Sequence, residues 1–158
     1  MMYDFNADDI FQMAEQMERN GAQFYRSAAD AAAEPAAGEF LRKLAAMEDD
    51  HERIFAAMRA QLGGAEKKPT VFDPDDDAVH YLRALADTRV FFEKKIDTSS
   101  MEAILKDAIT AEKDSIVFYL GMRDAVPENM GRSRLDEIIQ EEMGHIRLLS
   151  RELTALKK

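Results

Sequence analysis

Six side chains of this chain recur as a set. Glu18 is followed by Glu48 and His51, and Glu112 by Glu142 and His145; in each set the glutamates are 30 residues apart and the histidine comes three after the second. A Glu and a His three apart sit one turn apart on the same helix face, so both side chains reach one point in space. Carboxylate and imidazole donors together suit iron or manganese, with zinc as the common competitor. Two divalent ions would neutralise the four carboxylates; without cations the carboxylates repel one another and hold protons more tightly. Glu48 and Glu142 are expected to bridge the two ions, Glu18 and Glu112 to bind at the ends, and His51 and His145 to bind one ion each.

A single Glu-x-x-His on a helix is weak evidence, because both residues are ordinary on helix surfaces. Two copies, each with a glutamate upstream at the same distance, are stronger. With Glu at about one residue in ten, the four matches together are a coincidence of about one in ten thousand. The halves align without a gap, Ala14 to Leu62 against Ala108 to Leu156, with an offset of 94.

Tyr25 and Tyr119 lie two helical turns after Glu18 and Glu112. Their hydroxyls are placed to hydrogen-bond a ligand carboxylate; the alternative is that Phe24–Tyr25 and Phe118–Tyr119 are core aromatics whose hydroxyls find some other partner. Glu141 could orient His51 from across the bundle, but is read as a solvated helix charge. Its counterpart in the first half is Met47.

The elements that must carry these residues are helical. Ile10, Met13, Ala14, Met17, Phe24 and Ala28 recur at helical spacing, with Asn6 as the expected cap. A second helix opens at Pro35, a favoured first-turn residue. It carries Phe40, Leu41, Leu44, Met47, His51, Ile54, Phe55 and Met58, and is expected to end at Gly63 and Gly64. Ser99 and Glu102 form a capping-box match for a third helix, which Pro127 closes. A fourth runs from about Arg132 to Leu156. Residues 63–98 contain Pro69, Pro74 and the acidic run Asp73, Asp75, Asp76 and Asp77, which mark a loop. Val79 to Phe92 within it reads as a short extra helix, and His80 as a surface or packing histidine. The expected organisation is one domain over 1–158, all-α: a helix pair at 7–62, a long crossover at 63–98 and a second pair at 99–157. This is a four-helix bundle of two related hairpins.

Composition limits the partners. The 158 residues carry a net charge of −10, which repels phosphate backbones and argues against nucleic acid. No cysteine is present, excluding disulfides and thiolate metal sites. The acidic N-terminus shows no signal peptide, and no apolar stretch is long enough to span a bilayer. A cytoplasmic protein without membrane contact is the expectation. The ten methionines are read as core filler.

Four stretches carry a family resemblance: Glu18-Arg-Asn-Gly-Ala-Gln-Phe-Tyr25, Met47-Glu-Asp-Asp-His51, Ala111-Glu-Lys-Asp-Ser-Ile-Val-Phe-Tyr119 and Glu141-Glu-Met-Gly-His145. In these the chain resembles the ferritin-like superfamily and, within it, the rubrerythrin-like group. The resemblance implies a di-iron carboxylate centre, reduction of hydrogen peroxide or dioxygen, a role in oxidative stress, and a homodimer. An alternative it leaves open is a ferroxidase or iron-handling protein without true turnover. Rubrerythrins also append a cysteine-ligated rubredoxin-like domain. This chain has no cysteine, so its electron donor is expected to be a separate protein. They carry a further glutamate one turn after the third-helix ligand, where this chain has Ser115. The remaining six-ligand set is symmetric, more like that of bacterioferritin.

Overall fold

The computed structural model describes residues 7–63, 98–125 and 131–157. They form four helices: α1 (Ala7–Ala31), α2 (Pro35–Ala60), α3 (Met101–Ala125) and α4 (Arg132–Leu156). No strand occurs among the described residues, and no helix there is long and apolar enough to cross a membrane. The expected Asn6 cap, the crossover helix with His80, and Pro127 lie outside them.

The helix boundaries follow local chemistry, with two departures from expectation. α2 opens with Pro35 in its first turn, behind Glu34 in extended backbone. It stops at Ala60, where the Gln61 N–H bonds back to the last turn, so the helix ends before Gly63 without a left-handed glycine. α3 is capped by Ser100 rather than Ser99: the Ser100 Oγ accepts the Ala103 N–H at 3.1 Å. The cap belongs three residues before the amide it serves, and Glu102 instead pairs with Lys106 at 2.8 Å. α4 starts from Gly131, whose φ of 98° lies in the left-handed region. A Cβ there would meet the Met58 Cε at 2.7 Å, but that is the movable tip of a flexible side chain, so it is the left-handed backbone that calls for glycine.

The interior is divided into two apolar clusters. One gathers Ile10, Phe11, Ala14 and Met17 from α1, Phe55 from α2, Ile116, Phe118, Tyr119 and Met122 from α3, and Leu135, Ile138 and Ile139 from α4. The other gathers Phe24, Tyr25, Ala28 and Ala29, then Leu41, Leu44 and Ala45, then Ile104, Leu105 and Ala108, and finally Leu149. Each helix contributes to both. In α1 the apolar stripe is interrupted at Glu18, in α2 at Glu48 and His51, in α3 at Glu112, and in α4 at Glu142 and His145. A buried polar layer therefore lies across the middle of the bundle.

Candidate metal centre

All six side chains of that layer are buried, none more than 4% exposed. Burial on this scale strips water from ionisable groups, a state that persists only when they are paired or coordinate metal. The helices supply them in a fixed scheme: one glutamate from each of α1 and α3, and a Glu-x-x-His turn from each of α2 and α4. Two groups of four result. Glu18, Glu48, His51 and Glu142 each turn one ligand atom inward, all within 4.8 Å of one another, and so do Glu48, Glu112, Glu142 and His145. Glu48 and Glu142 belong to both groups.

The contacts within the layer converge on common points. His51 Nδ1 is 2.8 Å from Glu142 Oε1, 3.5 Å from Glu18 Oε2 and 3.6 Å from Glu48 Oε2. His145 Nδ1 lies 3.3 Å from Glu112 Oε1 and 3.4 Å from both Glu48 Oε1 and Glu142 Oε2. The two imidazole rings stack, 5.8 Å apart and 15° from parallel. Yet His51 Nδ1 and both oxygens of Glu142 are buried without a properly oriented hydrogen-bond partner. Orphaned buried polar atoms of this kind are rare and call for an explanation. Here they are donors aimed at shared points from several sides, which fits a cation at each point. The six residues expected to act together are thus brought together by the fold.

The electrostatics agree. Burial pushes the Glu48 carboxyl well above the ordinary range, and the charges of Glu142, Glu112 and Glu18 add to the effect. Burial, then Glu112 and Glu18, push Glu142 up to about 8. Burial acts on Glu112 in the same sense, but the adjoining Glu142 carboxyl, His145 and the Tyr25 hydroxyl outweigh it and hold Glu112 down at about 2. Burial pulls both histidines down, but the surrounding carboxylates win: His51 is raised strongly and His145 is pushed up to about 12. Beyond burial, carboxylate repulsion thus raises Glu48 and Glu142, and carboxylate attraction raises both imidazoles, as expected of like and unlike charges in a dry site.

The tyrosines settle between their two readings. Both are buried in the apolar clusters, and both donate to ligand carboxylates. The pairing is crosswise: Tyr25 of α1 donates to Glu112 of α3, and Tyr119 of α3 to Glu18 of α1. Burial first, then the nearby carboxylates, raise both hydroxyls well above their ordinary value, so they stay protonated donors.

Glu141 departs from its solvated reading. It remains 45% exposed, but its Oε2 is 2.6 Å from His51 Nε2. The signal for this was its place beside Glu142, at the edge of the inner face of α4. Ser115 supplies no carboxylate, and its hydroxyl bonds back to the Ala111 carbonyl at 3.1 Å. Glu15 is a buried charge that the sequence pattern did not mark; Arg59 pairs with it at 2.5 Å, which accounts for it without chemistry.

A four-helix bundle with a buried layer of four glutamates and two histidines, able to hold two metal ions, defines a class: the di-iron carboxylate proteins of the ferritin-like fold. The Rubrerythrin family model matches residues 9–153. The chain belongs to the rubrerythrin family. A solved structure from Thermotoga maritima, described as a ferritin-like diiron-carboxylate protein, shares the fold with a TM-score of 0.70, covering 98% of each chain at 23% identity. No curated protein is detectably similar in sequence.

Proposed function

We propose that the protein is a non-haem di-iron oxidoreductase that reduces hydrogen peroxide or dioxygen with electrons from a separate donor protein. One observation carries this reading: two four-residue donor groups share Glu48 and Glu142, the arrangement that holds two ions close enough to act on one small substrate. Glu18 and His51 would hold one ion, Glu112 and His145 the other, and Glu48 and Glu142, common to both groups, would serve both. A bound iron pair would supply two electrons to the substrate and recover them from the donor; for peroxide the balance is one H2O2, two protons and two electrons giving two waters. The chain's own residues do the rest. Tyr25 and Tyr119 fix the end carboxylates through hydrogen bonds from buried hydroxyls. The apolar clusters on either side exclude bulk water. The mixed oxygen and nitrogen donor set favours iron, with manganese or zinc as alternatives.

The test is peroxide consumption by the iron-loaded protein with an artificial or protein reductant. Turnover of many peroxides per chain supports the reading; uptake of iron with no sustained consumption overturns it. One observation favours a second reading, an iron-handling ferroxidase without true turnover: position 115 carries a hydroxyl engaged with its own helix, leaving a symmetric six-ligand set. Repeated rounds of ferrous iron oxidation, with ferric iron accumulating well beyond two ions per chain, would mark that case. A homodimer is part of the proposal and is checked by sedimentation of the metal-loaded chain.

A further inference from the structure

The two histidines have matching ring positions but unlike outer nitrogens. His51 Nε2 lies 2.6 Å from Glu141 Oε2. His145 Nε2 is buried with no hydrogen-bond partner. The repeat explains the difference. Aligned on the offset of 94, Glu141 corresponds to Met47, which carries no carboxylate, and Met47 is 36% exposed rather than turned onto His145.

The chemical consequence concerns the ligand atom. An ionised carboxylate only accepts, so the proton of a neutral His51 must reside on Nε2, leaving the Nδ1 lone pair free for the carboxylate pocket. The same bond fixes the ring plane and raises the basicity of the ligating nitrogen. His145 has neither benefit. Its hydrogen bond is on the other side of the ring, Nδ1 to Glu112 Oε1 at 3.3 Å, which draws the proton onto the nitrogen that must ligate, so presenting the Nδ1 lone pair requires a change of tautomer when the ion arrives.

We infer that the two metal positions are unequal, and that Glu141 is the positioning residue that makes the Glu18–Glu48–His51–Glu142 position the tighter one. The inference rests on the two-ion reading above. The pair then fills in order: the first divalent ion enters beside His51, and the second, beside His145, binds more weakly and exchanges faster. Two different metals can be placed side by side by supplying the second only after the first position is full.

The test titrates metal-free protein with Co(II), followed by its visible spectrum, and with Mn(II) under nitrogen, followed by electron paramagnetic resonance. The wild-type protein should take two ions in two distinct steps. A mononuclear Mn(II) signal should dominate at one equivalent and give way to a spin-coupled signal at two. Glu141→Leu should weaken the first step by about 10- to 100-fold, the usual range for losing such a partner, so that the two steps merge. Glu141→Gln, whose amide oxygen still accepts from Nε2, should recover part of the loss. Glu141→Leu strands the buried His51 Nε2, so its metal-free melting temperature should fall and Glu141→Gln should restore it; both variants are titrated well below their melting temperatures. Two equal steps in the wild type, or an unchanged first step in Glu141→Leu, overturns the inference and leaves the two-ion reading standing. Fewer than two ions per wild-type chain overturns both.

Discussion

The two hairpins present the same ligands from different surroundings. Under the repeat, Glu18, Tyr25, Glu48 and His51 fall on Glu112, Tyr119, Glu142 and His145. The packing that holds them does not correspond as closely. Phe11, Phe55 and Ile139 of one apolar cluster have Leu105, Leu149 and Ala45 as counterparts in the other, and Met122 has Ala28. The first cluster is therefore the bulkier. Beyond the second, between the α1–α2 turn and the start of α3, lies a cleft of about 510 Å³ bordered by Ala32, Ala36, Phe40, Ser100, Met101 and Leu156. α1 and α2 are tied by Arg19–Glu52 at 2.6 Å and by Arg26–Asp49, α3 and α4 by Arg123–Asp136 at 3.2 Å. Exposed pairs of this kind add little stability. The lesson is that core volume and surface charge differ between the halves, while the four glutamates, two histidines and two tyrosines that meet at the centre are the same in both. Packing tolerates substitutions that keep approximate volume; a coordination site does not tolerate a missing donor.

The sharpest way to break the comparison is to remove a shared residue. Glu48→Ala and Glu142→Ala each take a donor from both four-residue groups, so either should reduce metal content from two ions per chain to one or none, measured by elemental analysis. Glu18→Ala or Glu112→Ala removes a donor from one group and should leave one ion bound. Two ions in Glu48→Ala or Glu142→Ala would remove the bridging assignment.

Acidity separates the metal-free protein from the loaded one. Glu142 holds its proton up to about 8 against an ordinary 4.5, and His145 up to about 12 against 6.5. A value raised in the folded state means that this state binds more protons, so the stability gained is complete at low pH and fades as pH climbs through the folded value. Glu112, held at about 2, has the opposite sense: its contribution is in place above 4.5 and is lost only as pH falls toward 2. From about pH 5 to about pH 8 the first two dominate, and the melting temperature of the metal-free protein should fall. Metal must displace those protons, so its stabilising effect grows over the same range. A metal-free melting temperature that rises from pH 5 to 8 would contradict the charge distribution described for the site.

The crosswise tyrosines offer a subtler comparison. Tyr25→Phe leaves Glu112 with Glu142 and His145, and Tyr119→Phe leaves Glu18 facing His51. Each removes one donor from a buried carboxylate, with an expected loss of about 1–3 kcal/mol, read by urea unfolding of the metal-free protein. Similar losses in the two variants support equivalent hairpins at this level. A loss in one alone would place the asymmetry at the end carboxylates, and not only at the outer histidine nitrogens.

What the sequence made legible is what periodicity and spacing encode. The six central residues, their helices and the interruption of each apolar stripe follow from one-dimensional patterns, because a helix converts spacing into direction. Contacts between hairpins are not encoded in that way. That Tyr25 serves Glu112 rather than Glu18 depends on how α1 and α3 face each other, and Glu141 reaches His51 only because α4 lies beside α2. The α3 cap shows the same limit at short range. Ser99 and Ser100 are both competent caps by residue type, and it is Ser100 whose Oγ takes the Ala103 N–H.

The smallest expected effects come from residues 21 and 115, equivalent under the repeat and each one turn beyond an end glutamate. Gly21 approaches Glu48, and an added Cβ would meet the Glu48 Cγ at 3.5 Å, an ordinary contact. Gly21→Ala should therefore fit, and removing glycine from a helix interior should stabilise the protein by about 0.4–1 kcal/mol. Ser115 spends its hydroxyl on the Ala111 carbonyl, a bond that competes with the helix more than it supports it. Ser115→Ala should then raise stability by at most a few tenths of a kcal/mol, following helix propensity. Neither variant should alter the uptake of two ions, because neither residue belongs to the donor groups. If Ser115→Ala lowers metal content while Gly21→Ala does not, the hydroxyl serves the centre after all. The second hairpin would then carry a seventh participant.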